Sequence, residues 1–158
     1  MKRFLSLLFV FAVCLSATAA QSTIFIVRHA EKAASAGKDP DLSETGLARA
    51  EVLAKALKDA NVVAIYVSEF KRTQQTAAPL AKALGISVTN LPAKDITTLT
   101  AKLRTSNGNV LVVGHGDTIP DLIKALGISA PINIAENDYD NLFIVIVDEK
   151  PRLIRLHY

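Results

Sequence analysis

The feature that most constrains the fold of this chain is a pair of apolar segments that each run into a histidine. Ser22–Val27 leads into Arg28-His29, and Asn109–Val113 leads through a glycine into His115. Both segments are short and rich in β-branched residues, which favours buried strands over helices. In open α/β sheets, ligands bind at the carboxyl ends of the strands. The two segments are therefore predicted to form two walls of one pocket.

Either motif alone has an ordinary alternative explanation. An Arg-His pair after a strand is often only the point where the chain emerges into solvent. The repetition of the design favours the pocket, and so do Gly114 and Gly116 on either side of His115. Glycines allow the backbone to approach a ligand closely.

The first twenty residues have the pattern of a secretory signal peptide. Lys2 and Arg3 precede the apolar run Phe4–Leu15, and the small residues Ala17–Ala20 follow. The run is shorter than the roughly 20 residues that a stable membrane span needs. The sequence thus predicts a signal peptide over 1–20, cleavage near its end and export to the periplasm or the medium.

Two alternatives remain for this segment: retention as an uncleaved anchor, and lipid attachment at Cys14, which the bulky Val13 disfavours. After cleavage, residues 21–158 form one domain without cysteine, so neither a disulfide nor a thiol nucleophile is available. The whole chain has 18 basic and 15 acidic residues, a net charge of +3. Removal of Lys2 and Arg3 leaves 16 against 15, or +1. With no basic tail or stripe, no nucleic-acid partner is predicted.

The rest of the chain alternates strands with helices, which predicts a three-layer α/β/α sandwich with a mainly parallel central sheet. Further strands are predicted at 62–67, 86–88, 110–113 and 142–147, with a terminal edge strand at 153–157 as the hairpin partner of the strand before it. Helices are predicted at 44–60, capped by Asp41 or Ser43, and at 70–84, 96–104 and 120–127. Right-handed crossovers place the strand ends on one side of the sheet.

The first helix has a predicted core face and a predicted solvated face. The apolar residues at helical spacing are Leu47, Ala50, Leu53, Ala54 and Leu57. The residues assigned to the solvated face are Arg49, Lys55 and Lys58.

A third segment, Ser68–Thr76, follows the second strand and places Arg72 in the opening turns of a helix beside the same sheet edge. Arg72 and its neighbour Lys71 could simply be a solvated helix face. With Arg28 and two histidines nearby, a phosphoryl site is favoured instead. Guanidinium groups bind phosphate bidentately, and helix amides add partial positive charge.

Phosphoryl transfer requires positioning, charge stabilisation and a nucleophile. Without cysteine, and without a carboxylate at a strand end, a neutral imidazole is the best-placed nucleophile because it titrates near neutral pH. Two histidines could also suggest zinc. No metal-ligand spacing is visible, and no metal is predicted.

The three motifs, in this order and at these strand ends, resemble the histidine phosphatase superfamily, also called phosphoglycerate-mutase-like. The resemblance spans most of the chain after the signal peptide. The residues that carry it are Arg28, His29, Ala30 and Glu31, then Ser68, Arg72, Gln75 and Thr76, then Gly114, His115, Gly116, Asp117 and Thr118.

The resemblance implies a phosphoglycerate-mutase-like fold and a role for each of four residues. His29 would be the nucleophile that forms a phosphohistidine, which water then hydrolyses. Arg28 and Arg72 would hold the phosphoryl oxygens. His115 would hydrogen-bond the phosphoryl group and stabilise the transition state. No cofactor is implied.

The proton donor for the leaving group is where the chain departs from the better-known members of the family. Larger relatives supply a glutamate after the third strand, or an aspartate directly after the second histidine. Here Leu91–Ile96 is short and offers only Asp95, and Gly116 separates His115 from Asp117. Glu31 is the third candidate. Each of these carboxylates could instead be capping or solvated.

The chain has little length beyond the minimal domain, so the pocket is expected to be open. An open pocket admits bulky substrates, including phosphoproteins, as well as phosphorylated small molecules. The predicted function is an exported, metal-independent phosphatase acting on phosphomonoesters or phosphoramidates. The alternative is a catalytically weak or inactive phospholigand-binding module. A purely structural protein would require the four pocket residues to converge by accident.

Overall fold

The computed structural model describes residues 22–34 and 37–158. The predicted signal peptide and Cys14 lie outside the described residues. The strands are β1 (Ser22–Arg28), β2 (Val62–Val67), β3 (Val88–Asn90), β4 (Asn109–Gly114), β5 (Asn141–Val147) and β6 (Arg152–His157). The helices are α1 (Glu44–Leu57), α2 (Lys71–Leu84), α3 (Ile96–Arg104) and α4 (Ile119–Ala125). In the part of the chain that the structure describes, no helix has the length and apolarity to cross a bilayer.

The six strands form one sheet in the order β3-β2-β4-β1-β5-β6. Neighbours among β3, β2, β4 and β1 are parallel, whereas β5 runs antiparallel to β1 and β6 antiparallel to β5. This topology confirms the predicted mainly parallel sheet and its terminal hairpin at the edge.

Helices cover both faces of the sheet, so β1 is buried on both sides. Phe25 and Val27 pack in the cluster that includes α1 and α2. Ile24 and Ile26 pack in the opposite cluster, with α3 and α4. A strand covered on both faces has a continuous apolar sequence rather than an alternating one. The three-layer prediction is confirmed.

The third strand was predicted two residues too early. Gly85 ends α2 in the left-handed region at φ 66°, and the amide of Ile86 donates to the carbonyl of Ala81 at 3.1 Å. Ile86 therefore belongs to the helix cap, and pairing with β2 begins only where Val88 lies opposite Ile65.

Helix α1 is capped by Ser43, whose hydroxyl accepts from the Gly46 amide at 3.1 Å. The prediction that Leu47 lies in the core is wrong, because its side chain is 51% exposed. The buried stripe instead begins at Gly46 and continues through Ala50. A Cβ at Gly46 would lie 2.3 Å from the carbonyl oxygen of Glu31. The first turn of α1 thus packs directly against the backbone that leaves β1.

We expect Gly46→Ala to destabilise the protein by an amount on the order of 1–3 kcal/mol, as overpacking does. At an ordinary helix position the same change stabilises by about 1 kcal/mol, so the sign of the effect tests the packing. Urea denaturation followed by circular dichroism measures it. Thr45→Ala, at the neighbouring exposed position, is the matched control. A Gly46→Ala variant as stable as the wild type would contradict the close approach to Glu31.

Candidate active site

The site lies at the carboxyl edge of β1 and β4, which are adjacent and parallel. Arg28 is in register with Gly114, and the His29 amide extends the pairing by donating to the Gly114 carbonyl at 3.0 Å. His29 and His115 therefore follow neighbouring strands. Their ring centroids are 5.3 Å apart in an edge-to-face arrangement, and both residues are buried.

The ring of His29 is oriented by its own backbone and by α2. Nδ1 lies 2.8 Å from the carbonyl oxygen of Ala30. A carbonyl only accepts, so Nδ1 carries the proton and Nε2 keeps its lone pair. The Ala30 amide donates to the Thr76 hydroxyl at 2.9 Å, and that hydroxyl donates to the Arg72 carbonyl at 2.7 Å. Helix α2 thus fixes the backbone that selects the tautomer of His29.

Both histidines are neutral at pH 7. The pKa of His29 is lowered to about 3, chiefly by burial; the hydrogen bond to Ala30 opposes the shift, and electrostatic interactions with His115, Arg72 and Arg28 contribute to it. Burial, together with Arg72, lowers the pKa of His115 to about 4, although the carboxylates of Asp117 and Glu69 oppose the shift. A neutral imidazole with a free Nε2 is chemically competent as a nucleophile.

The tautomer of His115 follows from its partners. Arg72 Nη2 lies 3.4 Å from Nδ1, and a guanidinium can only donate, so Nδ1 is an acceptor. Nε2 then carries the proton and donates to the Ser68 hydroxyl at 2.8 Å. Ser68 Oγ lies 2.9 Å from Thr73 Oγ1, which donates to the Phe70 carbonyl at 2.8 Å. This chain ties the ring to the end of β2 and the start of α2.

Arg28 is held by the irregular segment that precedes β5. Its Nη1 donates to the carbonyls of Ala135 at 2.9 Å and Glu136 at 2.7 Å, and its Cζ lies 4.3 Å from the ring centroid of Tyr139. Its Nε is buried and has no hydrogen-bond partner among the described residues. Because these carbonyls are neutral, the guanidinium charge remains available to an anion.

Arg72 is held in a similar way. Its Nη1 lies 3.6 Å from Asp39 Oδ1, and its Cζ lies 4.3 Å from the ring centroid of Phe70. Its Nε is also buried, and no described residue accepts from it. Its side chain is only 14% exposed, whereas that of Lys71 is 57% exposed. The solvated-face alternative therefore holds for Lys71 and not for Arg72.

The structure brings together Arg28, His29, Arg72 and His115. Two buried Nε–H groups that have no acceptor in residues 22–34 and 37–158 lie beside two neutral imidazoles, and together they form a site suited to an anion such as a phosphoryl group. Sequence reasoning did not include Tyr139, Phe70 and Asp39, which contact the two arginines. Phe70 lies within the segment Ser68–Thr76, but no local pattern indicates that these three side chains contact the arginines.

Glu31 is engaged in an ion pair. Arg49 Nε lies 2.9 Å from both carboxylate oxygens, and Nη2 lies 2.6 Å from Oε1. Burial alone would raise the pKa of Glu31, but the hydrogen bonds and charge of Arg49 lower it. These contacts oppose a proton-donor role for Glu31. They also correct the prediction that Arg49 belongs to a solvated face.

The other two candidate proton donors lie elsewhere. Asp95 caps α3 by accepting from the Thr98 amide at 3.0 Å, and this bond lowers the pKa of Asp95. That engagement opposes its use as an acid. Asp117 is exposed and lies close enough for its charge to raise the pKa of His115. Of the three carboxylates, only Asp117 is near the site without a fixed partner among the described residues.

The first residues after β3 are held by hydrogen bonds from their backbone amides. The Leu91 amide donates to the Val67 carbonyl at 2.9 Å, and the Ala93 amide donates to Glu69 Oε2 at 2.7 Å. The segment borders an apolar cavity of about 30 Å³ beside His115, room for a water molecule or two. Within residues 22–34 and 37–158, no group of three or more histidine, cysteine, aspartate or glutamate side chains is placed to hold a metal ion.

The mainly parallel sheet thus places two histidines and two arginines at one carboxyl edge, an arrangement suited to binding an anion. Comparison with known proteins agrees with this. The model of the histidine phosphatase superfamily (branch 1) matches residues 24–93. The match includes Arg28, His29 and Arg72 and ends before His115. No curated protein matches the chain.

Several solved structures share the fold. The protein histidine phosphatase SixA complexed with tungstate is 24% identical with a TM-score of 0.71, over 85% of this chain and 96% of that one. A protein from Agrobacterium tumefaciens, provisionally assigned as the phosphohistidine phosphatase SixA, is 22% identical with a TM-score of 0.66, over 86% and 98%. The mycobacterial glucosyl-3-phosphoglycerate phosphatase is 16% identical with a TM-score of 0.66, over 85% and 98%.

At these identities the structural similarity demonstrates a common fold and not a common substrate. The family model matches residues 24–93, which include most of β1 and all of α1, β2, α2 and β3 of that fold. By their names, SixA and the mycobacterial protein are phosphatases.

We expect the ring resonances of His29 and His115 not to titrate between about pH 8 and about pH 5, because burial holds their pKa values at about 3 and about 4. In the unfolded chain, histidines titrate near pH 6.5. NMR titration of the folded protein, with assignments from His29→Gln and His115→Gln, measures the difference, and the protein in urea is the control. Titration of either ring near pH 6.5 in the folded protein would contradict the burial argument.

The same shifts fix the sign of a stability effect. Between about pH 6.5 and about pH 4 the unfolded chain binds protons that the folded histidines do not. The contribution of these two histidines to the free energy of unfolding is therefore fully present above about pH 6.5. It is lost as the pH falls from there toward their folded pKa values of about 4 and about 3.

Proposed function

We propose that this protein is a metal-independent phosphatase that hydrolyses phosphomonoesters or phosphoramidates through a phosphohistidine intermediate on His29. One observation carries the proposal. A neutral His29, with its lone pair on Nε2, lies beside two arginines whose buried Nε–H groups have no acceptor among the described residues.

The chemistry divides into two displacements at phosphorus. Arg28 and Arg72 donate to the phosphoryl oxygens and stabilise the negative charge that they carry in the transition state. His29 Nε2 attacks phosphorus, and the bond to the leaving oxygen or nitrogen breaks with its electron pair going to the leaving group. A water oxygen then attacks the phosphohistidine. Nε2 recovers its electron pair, and inorganic phosphate is released.

His115 couples this reaction to a proton. In the free protein, Nδ1 accepts a hydrogen bond from Arg72. To donate to a phosphoryl oxygen instead, Nδ1 must take up a proton, which the substrate dianion favours by its charge. The proton comes from solvent or from a substrate that binds as the monoanion. Binding of the dianion thus favours the protonated form of His115, which burial disfavours in the free protein.

The positions of the carboxylates favour substrates with good leaving groups. Glu31 and Asp95 have fixed partners, and Asp117 is exposed. Alkyl alkoxides require a proton to leave, whereas aryl oxides and the imidazole of phosphohistidine depart more readily. The fold similarity to a protein histidine phosphatase is consistent with that preference.

The proposed setting follows from the N-terminal sequence. A signal peptide over 1–20 would deliver the enzyme to the periplasm or the medium, where the substrate is a phosphorylated small molecule or a phosphoprotein. No nucleic-acid partner is proposed.

The full chain should hydrolyse an aryl phosphate in the presence of a metal chelator. We expect His29→Ala to lose activity by at least about 10³-fold, as removal of a nucleophile does, and an acid-labile phosphoenzyme to form only in the wild type. His157→Ala is the matched control, because His157 lies at the exposed edge strand. Absence of turnover, or turnover that survives in His29→Ala, would refute the mechanism.

A second candidate function is a phospholigand-binding module with little or no turnover. The observation that favours it is the engagement of Glu31 and Asp95 in structural contacts, which opposes a proton-donor role for two of the three candidate carboxylates.

A substrate panel separates the two functions. We expect aryl phosphates and phosphoramidates to turn over at least about 10-fold faster than alkyl phosphates, because the latter need an acid.

Asp95→Asn should match the wild type. Asp117→Asn should slow only alkyl substrates if Asp117 is the donor, and Glu31→Gln should lower the thermal midpoint. Tight vanadate binding without hydrolysis of any substrate would favour the binding module.

A further inference from the structure

Tyr139 contacts two of the four pocket residues. Its ring centroid lies 4.3 Å from Cζ of Arg28 and 6.1 Å from the ring centroid of His29. It belongs to the irregular segment between α4 and β5, and its side chain is partly buried. The family match ends at residue 93 and so does not include Tyr139. The sequence motifs do not include it either.

The contacts of Arg28 divide the guanidinium into two parts. Backbone carbonyls of residues 135 and 136 hold Nη1, and Nε is left without an acceptor. These hydrogen bonds, and a longer one from Nη1 to the Asp138 carbonyl at 3.5 Å, anchor one end of the planar group, while the end that carries Nε has no such contact among the described residues. The ring of Tyr139 supplies a flat surface against which a guanidinium stacks. Gly116 packs against the Arg28 side chain, since a Cβ at Gly116 would lie 3.6 Å from Arg28 Nε.

Arg72 provides an internal comparison. It too stacks at 4.3 Å on an aromatic ring, that of Phe70, and it too has a buried Nε without a described acceptor. Arg72 additionally has the carboxylate of Asp39 at 3.6 Å. The acceptors of Arg28 among the described residues are neutral carbonyls, so its orientation depends more strongly on its ring.

We propose that Tyr139 is a positioning residue, whose aromatic face holds Arg28 in the plane that presents its Nε–H to a phosphoryl group. The inference rests on the proposed function for the identity of the anion. The ring, and not the hydroxyl, performs the role, since no described residue hydrogen-bonds to the hydroxyl.

Two substitutions separate the ring from the hydroxyl. We expect Tyr139→Leu to raise both KM for an aryl phosphate and Kd for vanadate by about 10-fold, with a smaller effect on kcat, because the cation–π contact that orients Arg28 is lost. Tyr139→Phe keeps the face and should restore both constants to within about 2-fold of the wild type. Asn137→Ala, an exposed position in the same segment, is the matched control.

Calorimetry with vanadate keeps this test independent of catalysis. If the protein binds vanadate but hydrolyses nothing, the proposed phosphatase function fails, while the Kd values still support or overturn the role of Tyr139. Should Tyr139→Leu have a lowered thermal midpoint, Tyr139→Met keeps the bulk without the aromatic face and should show the same rise in Kd. Unchanged affinity in Tyr139→Leu and Tyr139→Met, or an equal loss in Tyr139→Phe, overturns the proposal.

Discussion

The pairing of β1 with β4 is the interaction on which the candidate site depends. These strands are parallel neighbours, and one backbone hydrogen bond beyond the strand end, from His29 to Gly114, continues their register. Two imidazoles that are 86 residues apart in sequence thereby come to 5.3 Å between ring centroids. Helices on both faces remove this edge from water, and burial then keeps both rings neutral.

Burial has an opposite consequence for the two arginines, which stay charged in proteins. Each is enclosed with its Nε unpaired among the described residues, and leaving a buried donor unsatisfied costs about 1–3 kcal/mol. Such a cost is tolerated at sites where a ligand supplies the missing acceptor. Burial therefore keeps the histidines neutral while the arginines keep their positive charge. A dianionic ligand is favoured by the arginines, and a neutral histidine beside it can act as the nucleophile.

The supporting contacts explain why Glu31 and Gly46 are next to the site but not part of its chemistry. Gly46 lets the first turn of α1 pack against the Glu31 backbone, and the Ser43 amide donates to the Glu31 carbonyl at 2.9 Å. The Glu31 side chain is held by Arg49 of α1. Helix α1 thus fixes the chain as it leaves His29, and the Glu31 carboxylate is used for structure.

The order of the strands and helices, the three-layer class and the four residues at one sheet edge could be predicted before any coordinates were known. Those features follow from local hydrophobic patterns and from the fixed handedness of crossovers. The pairing of Arg49 with Glu31, the exposure of Leu47 and the start of the third strand at Val88 depend on long-range packing, which local patterns do not encode.

The contacts of Arg28 with Tyr139 and with carbonyls at positions 135 and 136 were likewise decided only by folding. Arg28 and these partners are more than a hundred residues apart along the chain. Nothing in a local pattern specifies which distant side chain will stack on a buried guanidinium. That choice depends on the path of an irregular segment, which is set by packing and not by periodicity.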